Sequence, residues 1–343
     1  MMGTDIAIDL GTANFRLFVD GRGVVVNEPN VVAVDTYTDR LVAIGREAYE
    51  MLGRTSDRVR VIKPMSGGVI SDFSLMDAML RHYMKQVSTS RVFMPRVVVT
   101  VPSGITEVEK RAVVDAVAAN GVRKICLLEG PAAAAIGAGI DITRPRGTMV
   151  VTLGAGMSDA GVVSMNGLAA SRSISVAGEA FNEAIIKYAR RKLDLVIGSR
   201  TAEAAKRAAG CAYPMKQIKT CVLKGRDVQS GLPAKAEITS DQLLEAVLEP
   251  AAEVVRMIQT ALEETPPELM ADVAGEGILL AGGGAYLSGF DRLLAKKTKM
   301  RVRVLEEPES CVIRGAGSAV KMIDKAKFDP KNGSRATPLI AYY

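Results

Sequence analysis

Short apolar runs alternate with amphipathic segments along most of the chain, and glycine or proline separates many of them. One example is the stretch 95–122, where a run of valines ends at Pro102. A helical pattern then begins near Thr106 and has the acidic residues Glu107 and Glu109 in its first turn, where helices favour negative charge. Strands that alternate with helices in this way predict an α/β fold.

Two segments of the chain repeat one pattern. Residues 5–26 and 148–171 each contain an apolar strand, a turn with glycine, a second strand and a hairpin signal. The hairpin signals are an Asp-Gly pair at Asp20 and an Asn-Gly pair at Asn166. A repeat of this kind predicts two similar α/β halves with a cleft between them.

The two glycine-containing turns correspond to each other residue by residue. Gly11 matches Gly154, and Asp9 matches Thr152. Such a turn can offer successive backbone N–H groups to an anion in the cleft. Either turn alone fits a tight hairpin without a ligand, but their equivalent positions in the two halves favour a pair of phosphate-binding loops.

A third glycine cluster, Gly282 to Gly284, follows an apolar strand. Consecutive glycines let another body approach the backbone closely, as a flat adenine ring would require. The amphipathic helix predicted after the cluster has four apolar residues on one face: Leu287, Phe290, Leu293 and Leu294. For this cluster alone, a flexible strand-to-helix connection is the simpler alternative.

Helical periodicity dominates two longer regions. It is strong over 182–209, and it resumes over 239–264, where Pro250 predicts a break or a kink. The stretch between them, 213–238, predicts short strands or a hairpin in a smaller outer subdomain. The stretch 124–140 predicts a strand that runs into a helix of alanines and glycines, whose small side chains permit close packing.

Length and composition exclude several classes of protein. The chain of 343 residues exceeds the roughly 250–300 residues at which one core usually divides, which again favours two lobes. The net charge of +6 is spread along the chain without a Lys/Arg block of the nucleic-acid-binding type. Four cysteines without a CxxC pair, and His82 as the single histidine, argue against a zinc site or a disulfide framework and indicate reduced, cytoplasmic thiols. No apolar run reaches the roughly 18 residues of a membrane span, and no signal peptide begins the chain.

Ten motifs stand in order along the chain: "IDLGTAN", "VVVNEPNVVAV", "AIGREAYEMLGRT", "IKPMSGGVISDF", "PRVVVTVPSGITEVEKRAV", "GPAAAAIGAG", "SRSISVAGEAFNEAI", "IGSRTAEAAKR", "LAGGGAYLSGFDRLL" and "CVIRGAGSAV". In this order and spacing they resemble the MreB/Mbl family of bacterial actin-like, cell shape-determining proteins. The resemblance runs from about Asp5 to Lys321. The stretch 324–343 matches no part of the family pattern.

The resemblance implies an actin-like α/β fold, in the superfold shared by actin, heat-shock chaperones and sugar kinases. Two lobes, each with a large inner and a small outer subdomain, would surround a nucleotide cleft. The implied parts are subdomain IA (1–31, 71–146 and 318–333), IB (32–70), IIA (147–180 and 251–317), IIB (181–250) and a tail (334–343).

The resemblance also implies a nucleotide site, with ATP or ADP and Mg²⁺ as cofactors. Asp9 would face the water shell of the metal. The residues implied to bind the nucleotide are Gly11, Thr12, Ala13 and Asn14 in the first phosphate loop, Gly154, Ala155, Gly156 and Met157 in the second, Glu203, Lys206 and Arg207 beside the ribose and base, and Gly282, Gly283 and Gly284 at the adenine.

Three positions depart from the family pattern. The family has aspartate at the position of Thr152 and glycine at Ala155. It also has a second acid after Glu129, where this chain has Gly130, and that glutamate is the family residue thought to orient the attacking water. These departures predict that ATP hydrolysis is slow or absent, and they leave the chain without an assigned catalytic residue.

The function implied by the resemblance is a filament that self-associates at the inner face of the cytoplasmic membrane and organises cell-wall synthesis and cell shape. An active ATPase of the same family is one alternative. A sugar kinase of the same superfold is another, but a kinase needs a general base near its acceptor hydroxyl, and no spare cleft aspartate with a sugar-binding cluster is evident. A chaperone-like ATPase would need a peptide-binding domain for which the chain is too short.

An apolar loop is the candidate membrane contact. Val92, Phe93 and Met94 are consecutive apolar residues between Arg91 and Arg96. An apolar tip flanked by cations suits an anionic membrane surface, and a similar loop inserts into lipid in the family that the chain resembles. The alternative is that Phe93 packs against the core where the next strand begins.

Overall fold

The structure of the protein is a computed structural model that describes residues 5–87, 94–326 and 337–342. The strands in these residues are β1 Ile6–Leu10, β2 Asn14–Val19, β3 Gly23–Pro29, β4 Val32–Asp35, β5 Leu41–Ile44, β6 Val59–Ile62, β7 Met65–Ser66, β8 Val69–Ile70, β9 Arg96–Val101, β10 Lys124–Glu129, β11 Thr148–Leu153, β12 Ser158–Ser164, β13 Gly167–Ile174, β14 Leu195–Val196, β15 Thr220–Asp227, β16 Pro233–Thr239, β17 Ile278–Ala281, β18 Val302–Val304 and β19 Ile340–Ala341. The α-helices are α1 Arg46–Met51, α2 Phe73–Val87, α3 Glu107–Ala118, α4 Gly130–Gly137, α5 Gly178–Lys192, α6 Ser199–Ala209, α7 Ser240–Glu263, α8 Pro267–Glu276, α9 Phe290–Thr298 and α10 Cys311–Ala319. Short 3-10 helices cover Gly283–Tyr286 and Val320–Lys325.

The first large sheet has six strands in the order β19-β10-β9-β1-β2-β3. β1 pairs antiparallel with β2 and parallel with β9, which pairs parallel with β10. Successive residues of a strand point to opposite faces. Ile6 and Ile8 therefore share a core with α2 and α3, whereas Ala7 shares another with α4 and α10. We call this sheet, together with α1 to α3 and the strands among them, lobe I.

The second large sheet has five strands in the order β13-β12-β11-β17-β18. Val151 of β11 packs in a core to which α5, α6, α7, α8 and α9 contribute. Its neighbour Val150 faces the opposite way, into the core that also contains Ala7 of lobe I. We call this sheet, together with α5 to α9 and the small sheet β14-β15-β16, lobe II.

Helices α4 and α10 lie between the two lobes, and their backbones touch. A β-carbon on Gly137 would lie 1.9 Å from the carbonyl oxygen of Cys311, and one on Gly315 would lie 1.7 Å from that of Ala133. Both contacts are shorter than any side chain permits, so glycine is required at both crossing points. The close packing predicted for the small-residue helix is confirmed.

The predicted hairpins are confirmed, one of them with a shifted turn. Met165 and Asn166 form the turn between β12 and β13, with φ values of 48° and 62°, and Gly167 already belongs to β13. The turn predicted at Asn166-Gly167 therefore lies one residue earlier, because asparagine itself tolerates the left-handed conformation. The hairpin predicted within 213–238 is formed by β15 and β16.

The helix predictions are correct in part. The helix predicted to begin near Thr106 is α3, and Thr106 caps it in a capping box with Glu109. The region 182–209, predicted to be strongly helical, consists of most of α5 and all of α6, with the short strand β14 between them. Pro250 does not break α7, which runs from Ser240 to Glu263. Pro250 is itself buried in that helix, and tertiary packing compensates for the hydrogen bond that proline cannot donate.

The stretch 324–343, which matched no family motif, contributes an edge strand. β19 pairs antiparallel with β10, with Ala341 opposite Cys126. Leu339 is fully buried just before this strand, and the Tyr342 hydroxyl donates to the Glu107 carboxylate at 3.4 Å. The end of the described chain is thus packed onto lobe I. The subdomain boundaries implied by the resemblance remain predictions.

Replacing Leu339 with alanine should lower the free energy of unfolding by about 2–5 kcal/mol, since it removes a fully buried side chain and leaves a cavity. Urea denaturation followed by circular dichroism measures the change. Leu232→Ala is the matched control, because Leu232 is 65% exposed and its loss should cost less than about 0.5 kcal/mol. Equal effects of the two substitutions would show that β19 does not belong to the folded core.

Candidate functional site

The two glycine-containing turns have the same geometry. A β-carbon on Gly11 would lie 2.8 Å from the carbonyl oxygen of Asn14, and one on Gly154 would lie 2.8 Å from that of Met157. Both distances exclude a side chain, so each turn closes on itself in the same way and requires glycine at the same point. The internal repeat predicted from the sequence is therefore present in the backbone of both lobes.

The turns meet between the lobes. A β-carbon on Gly156 would lie 2.5 Å from Oγ1 of Thr12, so the tip of the second turn touches the first. The Thr12 hydroxyl also accepts a hydrogen bond from the backbone N–H of Gly68 at 3.1 Å. A β-carbon on Gly68 would lie 3.0 Å from the Met157 side chain. Residues from both predicted phosphate loops are thus brought to one place.

The start of α5 supports the second turn. The backbone N–H of Gly178 donates to the carbonyl oxygen of Gly154 at 3.2 Å, and that of Glu179 donates to Ala155 at 2.7 Å. These bonds use N–H groups that a helix N-terminus leaves unpaired. Glu179 also forms an ion pair with Lys63, which lies in lobe I. The second turn is therefore held by lobe II and lies beside a contact between the lobes.

The charged residues predicted on α6 lie beside the same turn. Lys206 Nζ donates to the carbonyl oxygen of Gly178 at 2.8 Å and pairs with Glu203 at 2.7 Å. Arg207 pairs with the second oxygen of Glu203 at 2.7 Å. Burial alone would raise the pKa of Glu203, but the two cations and a hydrogen bond from Asn182 lower it to about 2. The cluster is ionised and fixed next to the second turn.

The third glycine cluster packs against the second turn as well. A β-carbon on Gly282 would lie 2.4 Å from the carbonyl oxygen of Leu153, and one on Gly284 would lie 2.8 Å from the Leu153 side chain. Only Gly283 has no atom within 4 Å of that position. Two of the three glycines are therefore explained by contact with the protein itself, and the space beside Gly283 is open.

The predicted amphipathic helix after this cluster begins later than expected. A 3-10 helix covers Gly283–Tyr286, and α9 begins only at Phe290. Leu287 is buried but lies outside the helix, while Phe290 and Leu294 are fully buried on one face of it. Phe290, Leu293 and Leu294 lie on α9 as predicted, whereas Leu287 precedes it, so the helix start was placed too early.

The predicted metal position has a single carboxylate. Asp9 receives a hydrogen bond from Thr100 at 3.0 Å and forms an ion pair with Arg16 at 3.0 Å. Thr152 brings only a hydroxyl, which lies 3.4 Å from the carbonyl oxygen of Asp159, and Gly130 brings no side chain. No cluster of three metal-ligating side chains occurs in residues 5–87, 94–326 or 337–342. Such a set suits an ion held mainly by water and phosphate oxygens, as Mg²⁺ commonly is.

Two carboxyl groups, the half-buried Glu129 and the buried Asp159, lie beside Gly130 and Thr152. Burial raises the pKa of Glu129 to about 7, with a further increase from the charge of Asp159 and a decrease from Lys110. Burial likewise raises the pKa of Asp159 to about 6, against the hydrogen bonds that it accepts from Ser103 and Ser173. Glu129 directly precedes Gly130, and Asp159 pairs in register with Thr152. Acidic groups therefore surround the two positions where the family pattern places its acids.

Two supporting residues were missed in the sequence. Asn30 is fully buried and binds the first turn, donating from its side chain to the carbonyl oxygen of Gly11 at 2.8 Å. Its own side-chain oxygen is buried without a protein partner in the described part of the chain. Asp159 was the second, and the register of the predicted hairpin, which sets Asp159 opposite Thr152, would have identified it.

The predicted membrane loop is described only at its last residue. Met94 is 55% exposed, whereas Val92 and Phe93 lie outside the described residues. Within the described ranges, no helix combines the length and the apolar character that crossing a membrane requires. The loop remains a prediction.

A model of the MreB/Mbl protein family matches residues 3–328 of the chain. The chain belongs to the MreB/Mbl family. It is 44% identical to the cell shape-determining protein MreB of Escherichia coli K12 over 333 residues, which cover 94% of this chain and 95% of that protein. It is 41% identical to the cell shape-determining protein Mbl of Bacillus subtilis 168 over 326 residues, which cover 95% and 98% of the two chains.

Solved structures agree with membership of the MreB/Mbl family. MreB5 of Spiroplasma citri bound to ADP superposes with a TM-score of 0.90 at 33% identity, and the match covers 94% of this chain and 98% of that one. A second structure of MreB5, bound to AMPPNP, gives the same TM-score over 95% and 98%. The MamK double helical filament matches at 20% identity with a TM-score of 0.79 over 93% and 98%, which supports the fold alone. The actin-like fold expected from the family resemblance is confirmed.

Replacing Glu129 with glutamine should stabilise the nucleotide-free protein at pH 8, and this gain should shrink as the pH falls below 7 and vanish only below about pH 4.5. A folded-state pKa of about 7 lies above the unfolded value of 4.5, so Glu129 binds more protons in the folded state and its ionisation opposes folding as the pH rises. The gain at pH 8 should be at most about 3 kcal/mol. Thermal melts across this pH range measure it, with Glu237→Gln, at an exposed position, as the control. A gain that does not vary with pH would contradict the titration of Glu129.

Proposed function

We propose that this chain binds ATP or ADP between its two glycine turns and assembles into filaments at the inner face of the cell membrane. The observation that carries the proposal is the matched pair of turns in contact between the lobes, through Thr12 and Gly156. A triphosphate bound there would meet backbone N–H groups from both halves of the molecule. The MreB5 relatives, which were solved bound to ADP and to AMPPNP, support nucleotide binding.

Mg²⁺ would accompany the nucleotide, with Asp9 reaching it through water. When bound, the ion would neutralise phosphate charge. A carboxylate that is already paired with Arg16 is weaker as a direct ligand than a free one, which favours an indirect contact. On lobe II, Thr152 can hydrogen-bond to the hydrated ion but brings no charge.

Hydrolysis is proposed to be slow or absent. Phosphoryl transfer depends on a positioned metal and a positioned water, and the loss of such a group commonly costs orders of magnitude in rate. Gly130 has no side chain that could orient water. Binding depends on backbone groups that do not require particular side chains, so binding and hydrolysis are separable in this site. An active ATPase remains the alternative.

The proposal also covers assembly into filaments, a role in cell shape and a location at the inner face of the membrane. The family relatives are named as cell shape-determining proteins, and the proposed role here is the same, with the cell-wall synthesis machinery as partner. A heterologous interface that does not close forms an open linear array. The sugar-kinase alternative is not favoured, since the chain matches the MreB/Mbl family over residues 3–328.

The purified protein should pellet with ATP and Mg²⁺ and release phosphate at a rate near background. Phosphate release should rise in the double variant Thr152→Asp with Gly130→Glu, because it returns acids to both positions of the cleft. Ultracentrifugation and a coupled phosphate assay measure the two properties on the same samples. A strictly monomeric protein at all concentrations would contradict the filament, and fast turnover by the unmodified protein would contradict slow hydrolysis.

Replacing Val92, Phe93 and Met94 with serine should abolish co-sedimentation with vesicles that contain an anionic lipid. The melting temperature should change little, because Met94 is exposed. The matched control replaces three exposed apolar residues on or beside the β15–β16 hairpin with serine: Ile218, Val222 and Leu232. Unfolding of the first variant would instead support a core role for Phe93.

A further inference from the structure

Asp159 on β12 is a buried carboxylate that bonds across to the other lobe. Its Oδ2 accepts a hydrogen bond from the backbone N–H of Ser103 at 2.9 Å. Its Oδ1 accepts from the Ser103 hydroxyl and, at 2.9 Å, from the Ser173 hydroxyl. Ser103 follows β9 in lobe I, whereas Asp159 and Ser173 lie on strands of lobe II. The carboxylate therefore joins the two lobes directly.

A second link runs beside the first. The backbone N–H of Gly104 donates to the Ser173 hydroxyl at 3.0 Å. A β-carbon on Gly104 would lie 3.0 Å from that of Ser173, so a side chain here would crowd the other lobe. We call Ser103, Gly104, Asp159 and Ser173 the interlobe clasp.

The clasp lies where the family pattern places its acids. A β-carbon on Gly130 would lie 3.4 Å from Oδ2 of Asp159 and 3.7 Å from Oγ1 of Thr152. Hydrogen bonds to a carboxylate are stronger than those between neutral groups. Because protein donors already occupy both oxygens of Asp159, it is suited to holding the lobes together and poorly suited to orienting water.

We propose that Asp159 is a positioning residue of the nucleotide site, which clasps the two lobes through Ser103 and Ser173 and thereby slows the release of nucleotide. The proposal rests on the proposed function, since it concerns nucleotide in the same cleft. A nucleotide held between two touching turns leaves when the lobes separate. Separation of the lobes at Ser103 and Ser173 has to break the bonds of the clasp.

Asp159→Asn is the most specific substitution for this test, because asparagine keeps the shape of aspartate and has only one acceptor oxygen. One of the two Ser103 donors then loses its acceptor. The cost of one such bond to a charged group corresponds to about a tenfold faster release. Ser103→Ala, which removes only the hydroxyl donor, should have a smaller effect in the same direction.

Release is measured by loading the protein with a fluorescent ADP analogue and chasing it with unlabelled ADP in a stopped-flow instrument. The matched control is Thr265→Val, which removes a buried hydroxyl that donates to Ala261 within lobe II. Asp159→Asn and Ser103→Ala should release faster than the unmodified protein, and Thr265→Val should not. Equal release rates in all four proteins would overturn the clasp.

A disulfide tests the contact between the lobes directly, while the Thr265→Val control tests for a general loss of stability. The hydroxyl oxygens of Ser103 and Ser173 lie 3.2 Å apart, so cysteines at both positions should bridge the lobes when oxidised. In the Asp159→Asn background, oxidation of this pair should return release to the unmodified rate or slower, and a reductant should reverse the effect. Failure of the formed disulfide to slow release would overturn the proposal, because the covalent bridge holds together the same two segments that the clasp joins.

The same pair of cysteines distinguishes failure of the clasp from failure of the proposed function. Without nucleotide, the pair should oxidise faster when Asp159 is present than in the Asp159→Asn background, since the backbone N–H at position 103 still bonds to the carboxylate and holds the lobes together. A protein that binds no nucleotide would refute the proposed function, and the oxidation rates would still test the contact. Equal oxidation rates in the two backgrounds would overturn the clasp.

Discussion

The backbone contact between α4 and α10 is the constraint on which the rest of the molecule depends. Gly137 and Gly315 let the two helices cross with no side chain between them. Both large sheets pack against this helix pair through one shared core. The sheets are therefore as close as two helices allow, and the turns that follow β1 and β11 can touch. A side chain at either crossing point would separate the lobes and, with them, the site.

The sequence predicts well those structural features that occur twice in the chain or that involve only residues close in sequence. The equivalence of Gly11 and Gly154 is evident from the sequence because the same backbone turn requires glycine at the same point in both lobes. The start of α3 near Thr106 can be predicted because its signal is local: a capping box involves residues only three apart. Such features need no knowledge of how the chain folds back on itself.

What the sequence does not predict depends on long-range packing. The bond between Ser103 and Asp159 joins residues 56 positions apart on different lobes, and neither is unusual in its local context. Two of the three glycines at 282–284 are required by Leu153 and not by a ligand, which no local pattern reveals. Pro250 is another example. The burial of apolar residues along α7 outweighs the low helix propensity of proline, which in isolation favours a break. The strand at Ile340–Ala341 is too short to carry a periodic signal.

The position of the last described strand has a practical consequence for imaging this protein. A fluorescent domain joined within a few residues of Ala341 would lie next to a buried strand and would compete with its pairing to β10. The tip of the β15–β16 hairpin is a better place for a reporter. Gln229 and Ser230 are exposed there, and Gly231 has no atom near its β-carbon position. An insertion at that tip lengthens a surface turn, which costs little entropy and leaves both large sheets intact.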